Sequence, residues 1–447
     1  MGLPILVVAG LLVVYAFYNQ LSYGASFYKA LQNIIYKLFY TTSGVIGTPV
    51  SVCYTYIVLF IIFGAFLERT GISSFFIDLA NAIAGWTSGG PAKVAVISSA
   101  LCGMVSGSSV GNTVTTGSVT IPMMKRTGYK PEFAGAVEAA ASTGGQIMPP
   151  IMGAAAFLMA EYMNVTYGQV TLWAILPAVL YFGGIFISVH LEAKKLGLKG
   201  IPRSELPRFK YLMRNVYLLL PLVFLIWVVT ANIRSLQYAA SIAILISIAV
   251  SLVGTIRDAS AEVRETKSGS VAGITAKKTG LMILEALEAG GKGSITVAVA
   301  CSMAGMIAGC ITVTGLASKL ISGVVALSSK IPNPTLSLLL ALFLTMLCCI
   351  VLGMGVPTTA NYCIMASTCA PILITLGIPK IAAHFFVFYF GIVADITPPV
   401  ALAAYAGSAI AKSDPMKTGI NATKLAIAAF IVPYIFAMNP SMLLMDQ

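Results

Sequence analysis

The sequence predicts an all-α polytopic membrane protein with an inverted internal repeat, two re-entrant hairpins and two broken helices. Of its 447 residues, 58% are hydrophobic and 9% are charged, whereas soluble domains carry about 25% charged residues. Apolar segments long enough to cross a hydrocarbon core of about 30 Å recur along the chain. A sequence pattern in the first half also recurs in the second half. A buried soluble core is the alternative, which this composition disfavours.

The repeat is clearest from Ser106 to Ala156. An offset of 249 residues, the separation of Asn112 and Asn361, aligns this stretch with a second copy without a gap. Two copies of one pattern inside a membrane chain are typical of transporters. The positions that are identical in both copies are Asn112/Asn361, Ser118/Ser367, Pro122/Pro371, Gly128/Gly377, Ala134/Ala383, Ile147/Ile396, Pro149/Pro398, Pro150/Pro399, Ala154/Ala403 and Ala155/Ala404.

The N-terminal residues 1–48 are predicted to belong to a scaffold. Pro4 to Tyr18 is an apolar run that fits a short span and lacks the basic start and cleavage site of a signal peptide. In the next segment Phe27, Leu31, Ile34 and Leu38 fall on one helical face. This pattern predicts a helix in the membrane interface, and an ordinary packed amphipathic helix is the alternative.

Residues 49–191 form the first predicted repeat. Val50 to Leu67 is a span and Ile72 to Trp86 a shorter helix. A hairpin then runs from Ala92 to Pro122, with SGSSVGNT (Ser106 to Thr113) in its middle. Unpaired backbone groups cost several kcal/mol each in hydrocarbon, so this break must be buried in protein or line a watery cavity. We therefore predict a re-entrant hairpin.

A broken span follows the hairpin, from Pro131 to Tyr162, before the span Thr171 to Val189. Adjacent prolines at Pro149 and Pro150 remove two backbone donors and free the carbonyls of the preceding turn. Such carbonyls are ligands for hard cations when they face a cavity. A simple packing kink is the alternative interpretation.

Residues 293–447 form the second predicted repeat. Ala298 to Leu316 corresponds to the first span and Ile321 to Ile331 to the shorter helix. GMGVPTTANY (Gly353 to Tyr362) is the second hairpin break, and ADITPP (Ala394 to Pro399) is the second broken span. The duplication therefore reaches beyond its best-matching core.

Charge sets the predicted topology. Glu192 to Arg214 carries seven basic and two acidic residues, and Arg257 to Lys292 is a second basic loop. Two spans, Leu212 to Thr230 and Leu236 to Ile256, separate these loops within residues 192–292, so both loops lie on one face. The positive-inside bias makes this face cytoplasmic, and it explains the net charge without nucleic acid.

The two hairpins differ in the charge of their return ends. The first returns to Lys125, Arg126 and Lys130, whereas the equivalent loop of the second holds only Lys380. This difference predicts that the hairpins enter from opposite faces and that the repeat is inverted.

Enzyme chemistry is not supported by the sequence. The eight cysteines contain no CxxC pair, and the two histidines are far apart. The acidic residues of the repeated core, among them Glu138, Glu161 and Asp395, have no HExxH or GxSxG context. We therefore expect no catalytic residues and no organic cofactor.

The layout resembles the large membrane subunit of tripartite ATP-independent periplasmic (TRAP) transporters, in particular the fused-permease branch that works with TAXI-type binding proteins. The most specific matches are SGSSVGNT, the IP-x4-TGY run at Ile121 to Tyr129, QIMPP, GMGVPTTANY and DITPP. The resemblance implies an elevator-type carrier for a small organic acid in a bacterial or archaeal inner membrane, with sodium as the coupling ion.

The resemblance also implies the site residues. Substrate would lie near Ser109, Asn112, Thr113, Thr358, Thr359 and Asn361. One sodium site would use Gly103, Ser106, Ser108, Gly145, Met148 and Pro150. A second would use Gly353, Gly355, Pro357, Asp395, Thr397 and Pro399. Asp395 has an alternative role as the N-cap of the helix after the break.

The implied partners are a periplasmic TAXI-type binding protein and the lipid bilayer. Fused members carry extra N-terminal spans, so we expect either a small four-span membrane subunit or missing N-terminal spans. A stand-alone sodium- or proton-coupled carboxylate symporter of the same superfamily is the alternative function. A neighbouring reading frame that encodes a secreted binding protein would discriminate between the two.

The basic segment Glu192 to Arg214 generates a topology test. A cysteine introduced by Ser204→Cys should resist a membrane-impermeant maleimide in intact cells and react in inside-out vesicles, because the segment faces the cytoplasm. The unsubstituted chain, whose cysteines all lie in apolar or Gly/Ser-rich segments, measures the background. Labelling of Ser204→Cys in intact cells would contradict the topology.

Overall fold

The computed structural model describes residues 3–231, 233–266 and 270–444, and all regular structure in this part of the chain is helical. Seven of its helices are long and apolar enough to cross a membrane, or eight when the bent pair Pro415–Leu425 and Ile427–Met438 counts as one span. The prediction of an all-α polytopic membrane protein is confirmed.

The chain begins with helices α1 (Leu3–Ser22) and α2 (Phe27–Phe39). Helix α2 buries Ala30, Ile34 and Leu38, and the last two pack in one cluster with residues of α1. Phe27 and Leu31 are exposed, and the helix in the membrane interface stays a prediction.

The first repeat contains the predicted span, hairpin and broken span. A π-helical turn at Cys53–Ile57 joins its first two helices into one span. The helices are α3 (Thr48–Val52), α4 (Val58–Arg69), α5 (Ile72–Ala84), α6 (Gly90–Ser106), α7 (Ser109–Arg126), α8 (Pro131–Gly144), α9 (Ala154–Met163) and α10 (Tyr167–Lys195).

The middle of the chain holds α11 (Phe209–Asn215), α12 (Leu220–Thr230), α13 (Leu236–Thr266) and α14 (Val271–Thr314). The predicted loop Arg257 to Lys292 was wrong, because all of it but residues 267–270 is helical, and residues 267–269 lie outside the described part. Ion pairs support these polar helical turns: Lys278 Nζ lies 2.6 Å from Glu262 Oε2, and Lys292 Nζ lies 2.5 Å from Glu288 Oε1.

Helix α14 shows why the loop was misassigned. It has 44 residues and is therefore about 66 Å long, roughly twice the hydrocarbon thickness. Its polar first half looks like a loop when only apolar runs count as helix. The predicted boundary between residues 292 and 293 consequently falls inside one continuous helix.

The second repeat follows α14 and has the same order of elements. Its helices are α15 (Leu316–Ser328), α16 (Pro334–Gly353), α17 (Thr358–Thr368), α18 (Ala370–Thr375), α19 (Lys380–Val393), α20 (Leu402–Ala411), α21 (Pro415–Leu425) and α22 (Ile427–Met438). The offset of 249 residues maps both ends of α8 onto both ends of α19. It also maps the 3₁₀ turn Gly145–Ile147 onto Ala394–Ile396. The duplication is therefore present in the backbone as well as in the sequence.

The number of crossings agrees with an inverted repeat. Between α4 and its counterpart, the second half of α14, the chain contains a hairpin, one broken span (α8 with α9) and the spans α10, α12 and α13. When the hairpin returns to its own side, the four intervening crossings leave α4 and α14 running in opposite directions.

The helices pack in two groups. Helices α1, α4 and α13 each pack against α14, and α13 also packs against α4; we call these four the scaffold helices. Helices α6, α7 and α8 contact each other, and α8 also packs against α20 and α21 of the second repeat. A Cβ atom on Gly135 of α8 would lie 3.0 Å from the carbonyl oxygen of Gly407 of α20, so glycine permits this close crossing. We call the second group, together with α16 to α19, the hairpin unit.

Candidate functional site

The tip of the first hairpin is short. Helix α6 ends at Ser106, Gly107 adopts a left-handed conformation with φ of +62°, and Ser108 caps α7. The Ser108 Oγ atom accepts a hydrogen bond of 3.1 Å from the Gly111 amide. The predicted break SGSSVGNT is therefore too long, because Ser109 to Thr113 form the first turn of α7 once Ser108 has capped it.

The tip of the second hairpin is the segment Met354 to Pro357. Gly355 has φ of +70°, which favours glycine, and Pro357 precedes the first residue of α17. No side chain caps the N-terminus of α17. The first turns of both α7 and α17 therefore begin at a hairpin tip, as predicted.

The broken spans meet the hairpins through small residues. A Cβ atom on Gly103 would lie 2.7 Å from the Cα atom of Gly145, so the C-terminal ends of α6 and α8 touch. In the second repeat a Cβ atom on Gly353 would lie 2.8 Å from the Cβ atom of Ala394. The peptide bonds Pro149–Pro150 and Pro398–Pro399 are both cis. Each break therefore lies against the hairpin of its own repeat.

Two asparagines at equivalent positions of the repeats connect the hairpins to neighbouring helices by hydrogen bonds. Asn112 Nδ2 donates to the Ser99 carbonyl oxygen at 2.9 Å and to Ser142 Oγ at 3.1 Å. Asn361 Nδ2 donates to the Gly391 carbonyl oxygen at 3.0 Å. Positions 142 and 391 are counterparts under the repeat offset. The amide oxygens of both asparagines are buried and have no hydrogen-bond partner.

Asp395 joins the two hairpins. Its Oδ2 atom accepts a hydrogen bond from Ser109 Oγ at 2.5 Å and a longer one from Thr358 Oγ1 at 3.4 Å. Asp395 therefore connects the second break to the first residues of α7 and α17. Its alternative role as the N-cap of α20 was wrong, because Ala401 occupies that position and no side chain caps the helix.

A cavity of about 620 Å³ lies between the hairpin tips and the scaffold helices α4 and α14. Nine predicted site residues line it: Ser106, Ser108, Ser109, Asn112, Gly355, Pro357, Thr358, Thr359 and Asp395. The other predicted residues lie outside its wall: Gly103, Thr113, Gly145, Met148, Pro150, Gly353, Asn361, Thr397 and Pro399. The structure thus brings four of the six predicted substrate residues to one cavity.

The wall of this cavity is apolar on the scaffold side and polar at the tips. Ile57, Phe60 and Val297 contribute the scaffold side. Asp395 and the exposed Glu68 are its two carboxylates, and the described wall contains no lysine, arginine or histidine. The described part of the chain holds no group of three His, Cys, Asp or Glu side chains that could bind a metal ion. Any cation here would be held mainly by hydroxyl and carbonyl oxygens.

Sequence reasoning assigned no role to Glu138. This residue is fully buried in α8 and accepts hydrogen bonds from four hydroxyl groups. Ser99 Oγ donates at 2.5 Å and Ser142 Oγ at 3.1 Å, and Thr116 and Thr120 of α7 donate as well. Glu138 therefore joins both arms of the first hairpin to α8. The sequence did contain a signal for this cluster. Thr116 and Thr120 are four residues apart, and so are Glu138 and Ser142, which places each pair on one face of its helix.

We expect Glu138→Ala to destabilise the hairpin unit by roughly 2–4 kcal/mol, because it removes the acceptor that four buried hydroxyls share and creates a cavity. Glu138→Gln should cost less, because rotated hydroxyls can still bond to the amide. The measurement is the Tm of the purified protein, with Glu161→Gln, an exposed acid, as the control. An unchanged Tm for Glu138→Ala would contradict this role.

Comparison with known proteins adds the family. The whole chain, residues 1–447, matches the family described as "Tripartite ATP-independent periplasmic transporter, DctM component". The C4-dicarboxylate TRAP transporter large permease protein DctM of Vibrio cholerae is 30% identical over 151 residues, which are 34% of this chain and 32% of that protein. Its namesake in Pseudomonas aeruginosa is 30% identical over 147 residues, which are 33% of this chain and 34% of that protein. The matched stretches thus span about a third of the length of each of these two relatives.

A solved structure shares the fold. The YdaH transporter of Alcanivorax borkumensis superposes with a TM-score of 0.51 at 16% identity, over 88% of this chain and 86% of that one. The family and the apolar helices place the chain in the bacterial inner membrane as a multi-pass protein. The relatives named above are transporter permeases and not enzymes, and the chain belongs to the DctM component family of tripartite ATP-independent periplasmic transporters.

Proposed function

We propose that the chain carries a small organic acid together with sodium into the cell, by movement of the hairpin unit against the scaffold. The observation that carries this proposal is the cavity itself. One wall comes from both hairpin tips and the second break, and the opposite wall comes from α4 and α14. A ligand bound there would lie between the two groups of helices, as an elevator mechanism requires.

The carboxylate of the substrate would bind at the N-terminal ends of α7 and α17. Ser109, Thr358 and Thr359 lie in these first turns and line the cavity. Helix N-termini carry partial positive charge and free N–H groups, which suit an anion. Asn112 also reaches the cavity, while Thr113 and Asn361 support the tips from behind, since both are buried and bonded to backbone oxygens.

The first sodium ion would bind where α6 and α8 end. Gly103, Ser106 and Ser108 come from the hairpin, and Gly145, Met148 and Pro150 from the break. The contact between Gly103 and Gly145 brings the two C-terminal ends together. Helix C-termini carry partial negative charge, and their carbonyl oxygens are suitable ligands for a hard cation.

The second sodium ion would bind at the equivalent ends of α16 and α19. Its candidate ligands are Gly353, Gly355 and Pro357 in the hairpin with Asp395, Thr397 and Pro399 in the break. Here the carbonyl oxygen of Pro399 already accepts a hydrogen bond from Tyr405, and Thr397 Oγ1 donates to Val393 at 2.8 Å. A carbonyl oxygen has a second lone pair, so Pro399 remains available.

The partners we propose follow from the family. A periplasmic binding protein of the TAXI type would deliver the substrate, and a small four-span membrane subunit would pack against the scaffold. C4-dicarboxylates are named for two relatives, so a carboxylate is the substrate class that the family supports. Uptake into liposomes with and without a candidate binding protein tests the delivery step.

The contact of Gly103 with Gly145 generates a test of sodium binding. Gly145→Ala places a Cβ atom 2.5 Å from the Gly103 Cα atom, so the two helix ends must separate. We expect sodium to raise the Tm of the unsubstituted protein, and Gly145→Ala to need at least about tenfold more sodium, which corresponds to 1.4 kcal/mol.

The matched control is Gly183→Ala in α10, where a Cβ atom meets nothing within 4 Å. It should keep the sodium dependence of the unsubstituted protein. Equal Tm values in NaCl and KCl for the unsubstituted protein would contradict sodium coupling. An unchanged sodium titration in folded Gly145→Ala would remove the first site.

A further inference from the structure

We propose that the chain binds an anionic phospholipid where α6 begins and α10 ends, and that Lys93, His190 and Lys194 hold its phosphate group. This binding site lies outside the cavity between the hairpin tips. It depends neither on the substrate nor on the ions proposed above. The inference starts from a buried lysine that has no acidic partner.

Lys93 is the fourth residue of α6 and is only 4% exposed. Its ammonium group donates to Thr87 Oγ1 at 3.1 Å and lies 5.4 Å from the centre of the Phe186 ring. None of the ion pairs in the described chain includes Lys93. An ammonium group has three hydrogens, and one acceptor leaves two of them free. A buried ammonium group in a membrane protein is costly unless an anion accompanies it, and it therefore marks a candidate site.

Two further basic side chains approach Lys93 from α10. Phe186, His190 and Lys194 are spaced four residues apart, so they lie on one face of this helix. The contact of Lys93 with the Phe186 ring shows that this face meets the start of α6. Lys194 acts electrostatically on Lys93, and both lysines act on His190. We call Lys93, His190 and Lys194 the basic cluster.

The basic cluster lacks a counter-charge. Glu192 is the single acidic residue of α10, and its Oε2 atom lies 3.5 Å from Lys195 Nζ, outside the cluster. His190 Nδ1 is buried and has no hydrogen-bond partner within residues 3–231, 233–266 and 270–444. Three basic groups that repel one another would be stabilised by an anion that reaches all of them. A phosphate group has several oxygen acceptors and can contact two ammonium groups and an imidazole at once.

The surface beside the basic cluster favours a phospholipid over free inorganic phosphate. Ile187 and Leu191 directly follow Phe186 and His190 in α10, and both are more than half exposed. A Cβ atom on Gly183 would meet nothing within 4 Å, so this side of the helix is open. Helix α10 is long and apolar enough to cross the membrane. Acyl chains can therefore pack along this open apolar side while the phosphate group contacts the basic cluster.

The position of the cluster also indicates the kind of lipid. The last turn of α10 leads into the basic segment Glu192 to Arg214, which is predicted to face the cytoplasm. The lipid would therefore belong to the cytoplasmic leaflet, where basic pockets between helices bind anionic head groups. A head group such as that of phosphatidylcholine brings its own cation, which the basic cluster would repel. We therefore expect a head group with a net negative charge.

The test measures lipid binding to the purified, delipidated protein in detergent, by native mass spectrometry and by the Tm. The probes are phosphatidylglycerol and phosphatidylcholine with identical acyl chains, and inorganic phosphate at matched ionic strength. We expect phosphatidylglycerol to bind about tenfold or more tightly than phosphatidylcholine and to raise the Tm further. An excess of inorganic phosphate should not displace it.

Two substitutions test the cluster itself. Lys93→Gln and Lys194→Gln should each reduce the preference for phosphatidylglycerol to less than about threefold, because each removes a positive charge and keeps a long side chain. Lys195→Gln is the matched control, since Lys195 is the next residue of α10 and pairs with Glu192. It should keep the preference. If Lys93→Gln does not fold, the variant at the exposed Lys194 still decides.

Three results would overturn the inference. The first is equal binding of both lipids by the unsubstituted protein, and the second is displacement of phosphatidylglycerol by inorganic phosphate. The third is an equal loss of preference in Lys194→Gln and Lys195→Gln, because the lipid would then respond to the charge of the whole surface and not to the basic cluster.

Discussion

The structure depends on satisfying the backbone where helices stop inside the membrane. Each hairpin tip and each break removes helical hydrogen bonds, and an unpaired backbone group costs several kcal/mol in hydrocarbon. The protein meets this constraint by placing each break against a hairpin through the contacts of Gly103 with Gly145 and of Gly353 with Ala394. Asn112 and Asn361 then donate to Ser142 and Gly391, which are equivalent positions of α8 and α19. The helix ends at the hairpin tips and the breaks form the candidate ion and substrate sites.

Local patterns predicted the backbone well. Proline pairs, glycine clusters and apolar runs depend on neighbours in the chain, so they located both hairpins, both breaks and the spans that join them. The polar half of α14 was not predicted to be helical, because an apolar run marks only the part of a helix that crosses the hydrocarbon and not the full length of the helix. The length of the first tip was overestimated because Ser108 caps α7 so early.

Contacts between distant residues could not be predicted from the sequence. Ser109 and Asp395 are separated by 286 positions, and their hydrogen bond crosses from one repeat to the other. The hydroxyl cluster around Glu138 likewise needs three helices in register. A repeat alignment gives the equivalent positions, but it cannot show which side chains of the two copies meet.

The two copies have diverged where their carboxylates lie. Glu138 in the first repeat corresponds to Val387 in the second, and Asp395 in the second corresponds to Gln146 in the first. The Glu138 carboxylate is enclosed among hydroxyl groups and supports the first hairpin, whereas the Asp395 carboxylate lines the cavity. The duplicated frame thus combines symmetric backbone sites with one asymmetric charge, which suits a carrier for two equivalent cations and one asymmetric substrate.

The most direct test of the central claim, that the hairpin unit moves against the scaffold, is a pair of distances measured by pulsed electron spin resonance in nanodiscs. Spin labels at the exposed positions Ser118 of the hairpin unit and Glu288 of α14 report the movement, and labels at Ser118 and Lys412 report the hairpin unit alone. We predict two populations for the first pair, whose ratio changes with sodium, and one constant distance for the second. A single, sodium-independent distance between Ser118 and Glu288 would contradict the account.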